Sequence, residues 1–236
     1  SSERLARVSE VVRKHVEAGD VAGVVTLVAR RGRIVHFEAQ GYADLASRTP
    51  MQRDNIFRLA SMSKPIVGVA IMMLLESGDI SLKDPVARFI PEFAALDKVA
   101  IPRPGARENA YDTEPAARPI TIRDLLTHGS GLLSGGLGAR AAAQLAPRAP
   151  DDTLATYIPK LAAVPLDFQP GTLWRYSGLA GYDVLSRVVE VVSGQSFDEY
   201  LNDNLLEPLG MPDTGFYFDG AQARRVATIY ARRPGE

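Results

Sequence analysis

Two β-rich runs close to the start of the chain constrain its fold most strongly. They cover residues 23–30 and 33–40, and the Arg31-Gly32 pair between them predicts a β-hairpin. Because an isolated hairpin is only marginally stable in water, these strands need further strands to pair with. An amphipathic helix is predicted before them, over residues 3–18, where apolar side chains recur at helical spacing.

Beyond these strands the apolar pattern becomes typical of helices. The predicted helices cover residues 62–77, 121–127, 152–163, 179–193 and 196–205. The stretches 99–119 and 129–150 are rich in Pro, Gly, Ala and Arg, and they are predicted to be long loops. A strand region followed by a helical region predicts an α/β (α+β) fold.

The composition excludes several classes of function. Lys and Arg together number 27 and Asp and Glu 28, a balance that excludes nucleic-acid binding driven by bulk charge. The chain has no cysteine, which removes disulfides, thiolate nucleophiles and zinc sites with Cys ligands. Its histidines, His15, His36 and His128, lie far apart and no HExxH motif occurs, so no metal site is predicted.

Neither a membrane span nor a targeting segment is expected. Apolar runs such as residues 66–75 are too short to cross a bilayer. Residues 1–10 lack the apolar stretch of a signal peptide. The absence of cysteine is compatible with the cytoplasm or the periplasm, so the compartment stays open.

Ser61 and Lys64 form the pair with the clearest chemical meaning. They spell Ser-x-x-Lys at the start of a predicted helix, so both side chains share one helix face. The amino end of that helix offers N–H groups and a positive dipole to a developing negative charge. A buried lysine loses proton affinity and could act as a base towards the serine hydroxyl. A helix-capping serine and a solvated lysine would also explain the bare motif.

Five segments extend this pair into a family resemblance. The segment at 56–93, IFRLASMSKPIVGVAIMMLLESGDISLKDPVARFIPEF, closely resembles the nucleophile segment of the serine β-lactamase-like and penicillin-binding-protein-like superfamily, in particular the class C β-lactamase type with its serine esterases (family VIII carboxylesterases). Four more match in the family's order: TIRDLLTHGSGL, FQPGTLWRYS, VVEVVSGQSFDEYL and EPLGMPDTGF. The resemblance runs from about residue 23 to the end. It implies a β-lactamase/transpeptidase-like fold, with an antiparallel sheet flanked by helices and a large helical lobe.

The resemblance also assigns catalytic roles. It makes Ser61 the nucleophile and Lys64 its partner, and it places Tyr176 at the family's second motif, Tyr-x-Asn. A tyrosine hydroxyl can take the serine proton and return it to the leaving group if Lys64 keeps the tyrosine pKa low; the alternative is a core tyrosine. Tyr200 begins another Tyr-x-Asn, for which helix packing is the better account. The resemblance makes His128 structural rather than a general base.

Two departures from the family pattern matter. Gly178 stands where the family's β-lactamases and peptidases carry asparagine, whose amide helps to hold the substrate's acylamino group. Glycine removes that amide and opens space, which fits an ester better than a β-lactam side chain. The third motif, in which Lys, His or Trp precedes x-Gly on a late strand that donates the second oxyanion N–H, is absent from this sequence.

The absent motif leads to an expectation about domain organisation. Residues 1–236 are predicted to form a single catalytic domain that is truncated, with a sheet-forming lobe at 1–56 and a mostly helical lobe at 57–236. The sheet is then incomplete in this chain. We expect its remaining strands to belong to further polypeptide, such as a second fragment that completes the fold.

The resulting prediction is a serine carboxylesterase that cleaves short-chain esters through an acyl-enzyme on Ser61. Serine, lysine and tyrosine supply the chemistry, so no organic cofactor and no metal is implied. The predicted partner is a small-molecule ester. One alternative is a β-lactamase or D-amino-acid peptidase on the same scaffold, and another is a non-catalytic or inactive fragment of the family.

Overall fold

The structure, a computed structural model, describes residues 2–96, 98–105 and 110–231. Within them the elements follow in the order α1 (Ser2–Glu17), β1 (Gly23–Arg30), β2 (Arg33–Asp44), β3 (Thr49–Pro50), α2 (Ser63–Glu76), β4 (Lys98–Pro102), β5 (Tyr111–Pro115), α3 (Ile122–Leu126), α4 (Leu137–Leu145), α5 (Leu154–Tyr157), α6 (Ala180–Ser193), α7 (Phe197–Leu201) and α8 (Gly220–Ala223). Short 3-10 helices lie at Ala60–Met62, Val86–Arg88, Pro91–Ala95 and Ile158–Ala163, and a π-helical turn lies at Asn202–Leu206. Small antiparallel sheets and many helices confirm the predicted α/β fold class.

The chain divides into two compact units. The first contains the residues up to 59 together with the described residues from 213 onward, and the second contains residues 60–212. In the first unit the later segment returns to the earlier one. The Ile56 N–H donates to Arg225 O at 2.8 Å, and the Ala227 N–H donates to Ile56 O at 2.9 Å. The division into lobes 1–56 and 57–236 stays a prediction about domain organisation.

The predicted hairpin forms the sheet of the first unit. β1 and β2 pair antiparallel, and the two loop residues Arg31 and Gly32 both have positive φ, 51° and 71°, a geometry that matches the twist of the strands. The sheet order is β1-β2-β3, and β2 pairs with β3 only near its end, at Tyr42 and Asp44. β1 pairs with β2 alone, so the outer edge of β1 has no strand partner among the described residues.

The hydrophobic core of the second unit is built around α6. α2 and α3 both pack against this helix. The helix that follows Ser61 and the helix that precedes His128 therefore share one core. The face that α6 buries is the one that its apolar spacing predicts, and it contains Val184, Leu185, Val188 and Val189.

The prediction of a long loop over 99–119 is wrong. β4 and β5 form an antiparallel hairpin there, paired along all five residues of each strand. Leu166 also bonds to β4, since its N–H donates to Lys98 O at 2.8 Å and its carbonyl oxygen accepts from the Ala100 N–H at 2.8 Å. The sequence prediction fails because the prolines at the strand ends are typical of loops, and because the supporting bonds come from Leu166, which is distant in the chain.

The long loop predicted over 129–150 is wrong in its middle, where α4 lies. Asp167 satisfies backbone groups at the start of this helix, because its carboxylate accepts from the Ser134 N–H at 2.6 Å and from the Ala139 N–H at 3.0 Å. A Cβ atom on Gly138 would lie 1.9 Å from Pro165 O. The glycine that favours a loop in the sequence instead permits close packing.

Two predicted helices are shorter than expected because their second halves are not α-helical. In 152–163, α5 ends at Tyr157, and Pro159, which has no N–H to donate, lies in the 3-10 helix that follows. In 196–205, α7 ends at Leu201 and continues as the π-helical turn. Tyr200 is buried in the core of the second unit, which supports packing as the account of its Tyr-x-Asn.

Two valine substitutions in α6 test this core. Val188→Ala removes two buried methyl groups and leaves a cavity, so we expect the free energy of unfolding to fall by about 2 kcal/mol. Val191→Ala is the matched control on the same helix; its side chain is 41% exposed, and a loss below about 0.5 kcal/mol is expected. Denaturant unfolding followed by circular dichroism measures both. Equal losses would contradict the placement of α6.

Candidate active site

Ser61, Lys64 and Tyr176 lie together in the second unit. The Tyr176 hydroxyl donates to Ser61 Oγ at 2.7 Å, and Lys64 Nζ donates to the same oxygen at 3.2 Å. Tyr176 is 115 residues from Ser61 in the sequence, so the fold creates this contact. The structure thus brings together the three residues that the sequence singled out.

Ser61 lies on a short 3-10 turn directly before α2. Ala60, which precedes it, has a positive φ of 46°, a conformation uncommon for a residue with a side chain. The N-cap residue of α2 is Met62, and no side chain caps the helix. The helix-capping explanation of Ser61 is therefore wrong. Ser61 is exposed, and its hydroxyl contacts Tyr176 and Lys64 instead.

Lys64 is half-buried and held from several sides. Its Nζ donates to Gly178 O at 2.6 Å. The same atom lies 4.9 Å from the centroid of the Tyr176 ring and 5.6 Å from that of the Tyr182 ring. The Tyr182 hydroxyl donates to Leu126 O at 3.1 Å, which fixes that ring at the end of α3. Lys64 is therefore not the freely solvated lysine of the alternative explanation.

The two tyrosines beside Lys64 have pKa values shifted in opposite directions. Interaction with the Lys64 side chain, and then the bond to Ser61, lower the pKa of Tyr176 from the ordinary tyrosine value of 10.0. Burial, and then the neighbouring Tyr176, raise the pKa of Tyr182. Tyr176 is therefore the phenol that ionises more readily, which suits a group that exchanges a proton with Ser61.

His128 contacts the backbone and ring at Tyr176. Its Nδ1 accepts from the Ser177 N–H at 3.3 Å, and its carbonyl oxygen accepts from the Arg175 N–H at 3.1 Å. Its ring centroid lies 4.7 Å from that of Tyr176. Burial, and then Lys64, lower the pKa of His128. These contacts agree with the structural role that the resemblance implies.

Open space and apolar side chains adjoin the site residues. A Cβ atom on Gly178 would have no heavy atom within 4 Å, which agrees with the expected open space. Met62 follows Ser61 in the chain and is 67% exposed, and Leu179 follows Gly178 and is 69% exposed. Trp174, whose ring centroid lies 6.1 Å from that of His128, is 71% exposed.

Sequence reasoning misses two parts of this site. One is the Gly178 carbonyl that accepts from Lys64, because a backbone oxygen leaves no trace in residue type. The other is Tyr182. Its signal was an aromatic residue in the first turn of the helix that follows Tyr176.

Within residues 2–96, 98–105 and 110–231, no three His, Asp or Glu side chains are grouped as a metal site requires. No helix in those ranges combines the length and the apolar composition needed to cross a membrane.

Known proteins resemble this chain over nearly its whole length. The family model described as Beta-lactamase matches residues 8–236. Protein Rv1367c of Mycobacterium tuberculosis is 39% identical over 227 residues, covering 93% of this chain and 53% of that protein. Esterase EstB of Burkholderia gladioli is 37% identical over 231 residues, covering 95% of this chain and 54% of that protein. The structure of EstCE1, described as a hydrolase with promiscuous acyltransferase activity, matches with a TM-score of 0.82 at 33% identity, covering 100% of this chain and 58% of EstCE1.

These matches establish the fold and the family. The chain spans about half the length of the curated relatives it matches. The agreement with EstCE1 confirms the predicted β-lactamase/transpeptidase-like fold. Because the family match begins at residue 8 and includes every segment that carried the resemblance, the chain belongs to the Beta-lactamase family.

Proposed function

We propose that this chain carries the nucleophile of a serine hydrolase that cleaves short-chain carboxylic esters through an acyl-enzyme on Ser61. The observation that carries the proposal is the Ser61 hydroxyl within hydrogen-bonding distance of both Tyr176 and Lys64. Acyl transfer needs a nucleophile, a proton acceptor beside it and a charge that stabilises the acceptor's ionised form. These three residues supply one part each.

The proton transfers follow from the 2.7 Å contact between the Tyr176 and Ser61 oxygens. Ionised Tyr176 takes the Ser61 proton while Oγ forms a bond to the ester carbonyl carbon. Collapse of the tetrahedral intermediate breaks the bond to the alcohol oxygen, which receives the proton from Tyr176. Water then gives a proton to Tyr176 and attacks the acyl carbon. Ser61 regains that proton as the acid leaves.

The oxyanion also needs backbone N–H donors. The Ser61 N–H, at the amino end of α2, supplies one, and the family resemblance places a second on a strand that this sequence does not contain. We propose that further polypeptide supplies that strand. The outer edge of β1, which pairs with no strand among the described residues, and the greater length of the relatives support this proposal. Material of a single 25.5 kDa mass with full esterase activity would overturn it.

Several observations favour esters as substrates. Gly178 offers no side-chain amide to an acylamino group. The apolar side chains of Met62 and Leu179, which adjoin Ser61 and Gly178 in the chain, and of Trp174, near the His128 ring, are exposed. Two relatives carry the names esterase and hydrolase. The description of the family favours the alternative, a β-lactamase or D-amino-acid peptidase. Faster turnover of nitrocefin than of p-nitrophenyl acetate or butyrate would support that alternative.

A fluorophosphonate probe is expected to label Ser61, because an activated serine hydroxyl attacks its phosphorus. Ser61→Ala should abolish labelling, whereas Ser63→Ala, at an exposed serine two residues later, should keep it. Intact mass spectrometry measures the added probe. Labelling that survives Ser61→Ala would contradict the assignment of the nucleophile. Native protein that takes up no probe would favour a non-catalytic member of the family.

Tyr176→Phe is expected to lower kcat by about 10²–10⁴-fold with little change in KM, because it removes the group that moves the proton. Tyr111→Phe, on β5, is the matched control and should behave as wild type. Steady-state hydrolysis of p-nitrophenyl butyrate measures both variants. A Tyr176→Phe enzyme with wild-type kcat would remove Tyr176 from the mechanism.

Gly178→Asn is expected to shift the preference from esters towards β-lactams. The side chain fits, because no atom lies within 4 Å of the Cβ position and Gly178 does not have a positive φ. One new hydrogen bond is worth about 0.5–1.5 kcal/mol, so the ratio of kcat/KM for nitrocefin to that for p-nitrophenyl butyrate should rise roughly 2–10-fold. Gly178→Ala controls for bulk. An equal rise in both variants would exclude the amide as the cause.

A further inference from the structure

We propose that His128 is a positioning residue for Tyr176 and that it performs this role only as a neutral imidazole. The inference rests on the proposed function, since it concerns the residue that takes the proton from Ser61. It gives His128 no contact with the substrate and no proton transfer. Its role is to hold the Tyr176 oxygen within bonding distance of Ser61.

His128 binds the chain on both sides of Tyr176. Its Nδ1 accepts from the Ser177 N–H at 3.3 Å, and its carbonyl oxygen accepts from the Arg175 N–H at 3.1 Å. Its ring lies against that of Tyr176, with 4.7 Å between the centroids and 49° between the planes. One residue therefore restrains both the backbone and the ring of Tyr176.

His128 is itself held in an unusual conformation. Its φ is +57°, in the left-handed region that is uncommon for residues with side chains. Its N–H donates to Leu125 O at 3.3 Å, and the next N–H, of Gly129, donates to Asp124 O at 2.8 Å. Asp124 is bound through both carboxylate oxygens by Arg118, at 2.6 and 2.9 Å. The position of His128 is thus fixed from the carboxyl end of α3.

The bond from Ser177 sets the protonation state of the imidazole. Nδ1 accepts only while it carries no proton, so the neutral ring carries its proton on Nε2. The titratable groups that face the ring are Lys64 from α2, Tyr176 from the segment before α6 and Tyr182 from α6. Burial, and then the Lys64 charge, lower the pKa of His128 from 6.5. The His128 imidazole is therefore neutral at neutral pH.

Protonation has a definite consequence for the reaction. Once the pH falls below the lowered pKa of His128, Nδ1 becomes a donor facing the Ser177 N–H, and a second positive charge arises near Lys64. Because Tyr176 must also be ionised, activity in this range depends on two protons, and log kcat should fall with a slope of about two rather than about one. The free energy of unfolding changes in the same direction as the activity. Because the unfolded chain binds the His128 proton more readily than the folded protein does, stability falls as the pH falls.

His128→Asn and His128→Ala separate positioning from packing. Asparagine tolerates the left-handed conformation, offers an amide oxygen as acceptor and does not titrate. The Asn variant should therefore keep an acid slope of about one for p-nitrophenyl butyrate. The Ala variant lacks the acceptor at every pH, so kcat should fall by about 10²-fold with little change in KM, the result of a displaced Tyr176.

The control is His15→Asn, at an exposed histidine of the first unit, which should keep the wild-type pH profile. If circular dichroism shows that the Ala variant does not fold, the acid slope of the Asn variant alone tests the role of His128. A slope of about two in the Asn variant, or of about one in the wild type, overturns the role of His128. Full activity of Tyr176→Phe would instead remove Tyr176 from the mechanism, and labelling that survives Ser61→Ala would overturn the proposed function on which the inference rests.

Discussion

The arrangement of the site depends on the contacts that the Lys64 ammonium group makes. Its bonds to Ser61 Oγ and Gly178 O join the amino end of α2 to the segment that leads into α6. Its hydrogen-bond acceptors are a hydroxyl and a backbone carbonyl, and the faces of two tyrosine rings lie near it, so none of these contacts carries a full negative charge. Asp183 interacts with Lys64 electrostatically, and burial raises the pKa of that carboxyl group. A carboxylate in the same place would compete with an ionised Tyr176 for the positive charge.

A second set of contacts also supports Tyr176. Arg118 and Thr121 bind Asp124 at the start of α3, His128 follows the end of that helix, and His128 in turn bonds to the residues on both sides of Tyr176. The Arg118–Asp124 contact is a bidentate charged pair, and His128 accepts from the backbone N–H groups of Arg175 and Ser177. α2 and α3 both pack against α6, so the two sets of contacts are attached to one core.

The parts of this arrangement that are local in sequence are the ones that the sequence predicts. The Ser-x-x-Lys pair spans one helical turn, and apolar spacing identifies the buried face of α6. Tyr176 could be found only through the family resemblance, because its partner Ser61 is 115 residues away. The β4–β5 hairpin and α4 were missed because each depends on a distant group, Leu166 for the first and Asp167 for the second. Backbone donors and acceptors, such as the Gly178 carbonyl, carry no signature in residue type.

Gly178 contributes to the site in two independent ways, through its carbonyl oxygen and through the absence of a side chain. Its carbonyl oxygen holds Lys64, and every residue type provides that oxygen. Its absent side chain leaves open space, and the backbone there does not need the positive φ that only glycine adopts readily. The side chain at position 178 can therefore change without removing the carbonyl that holds the cation.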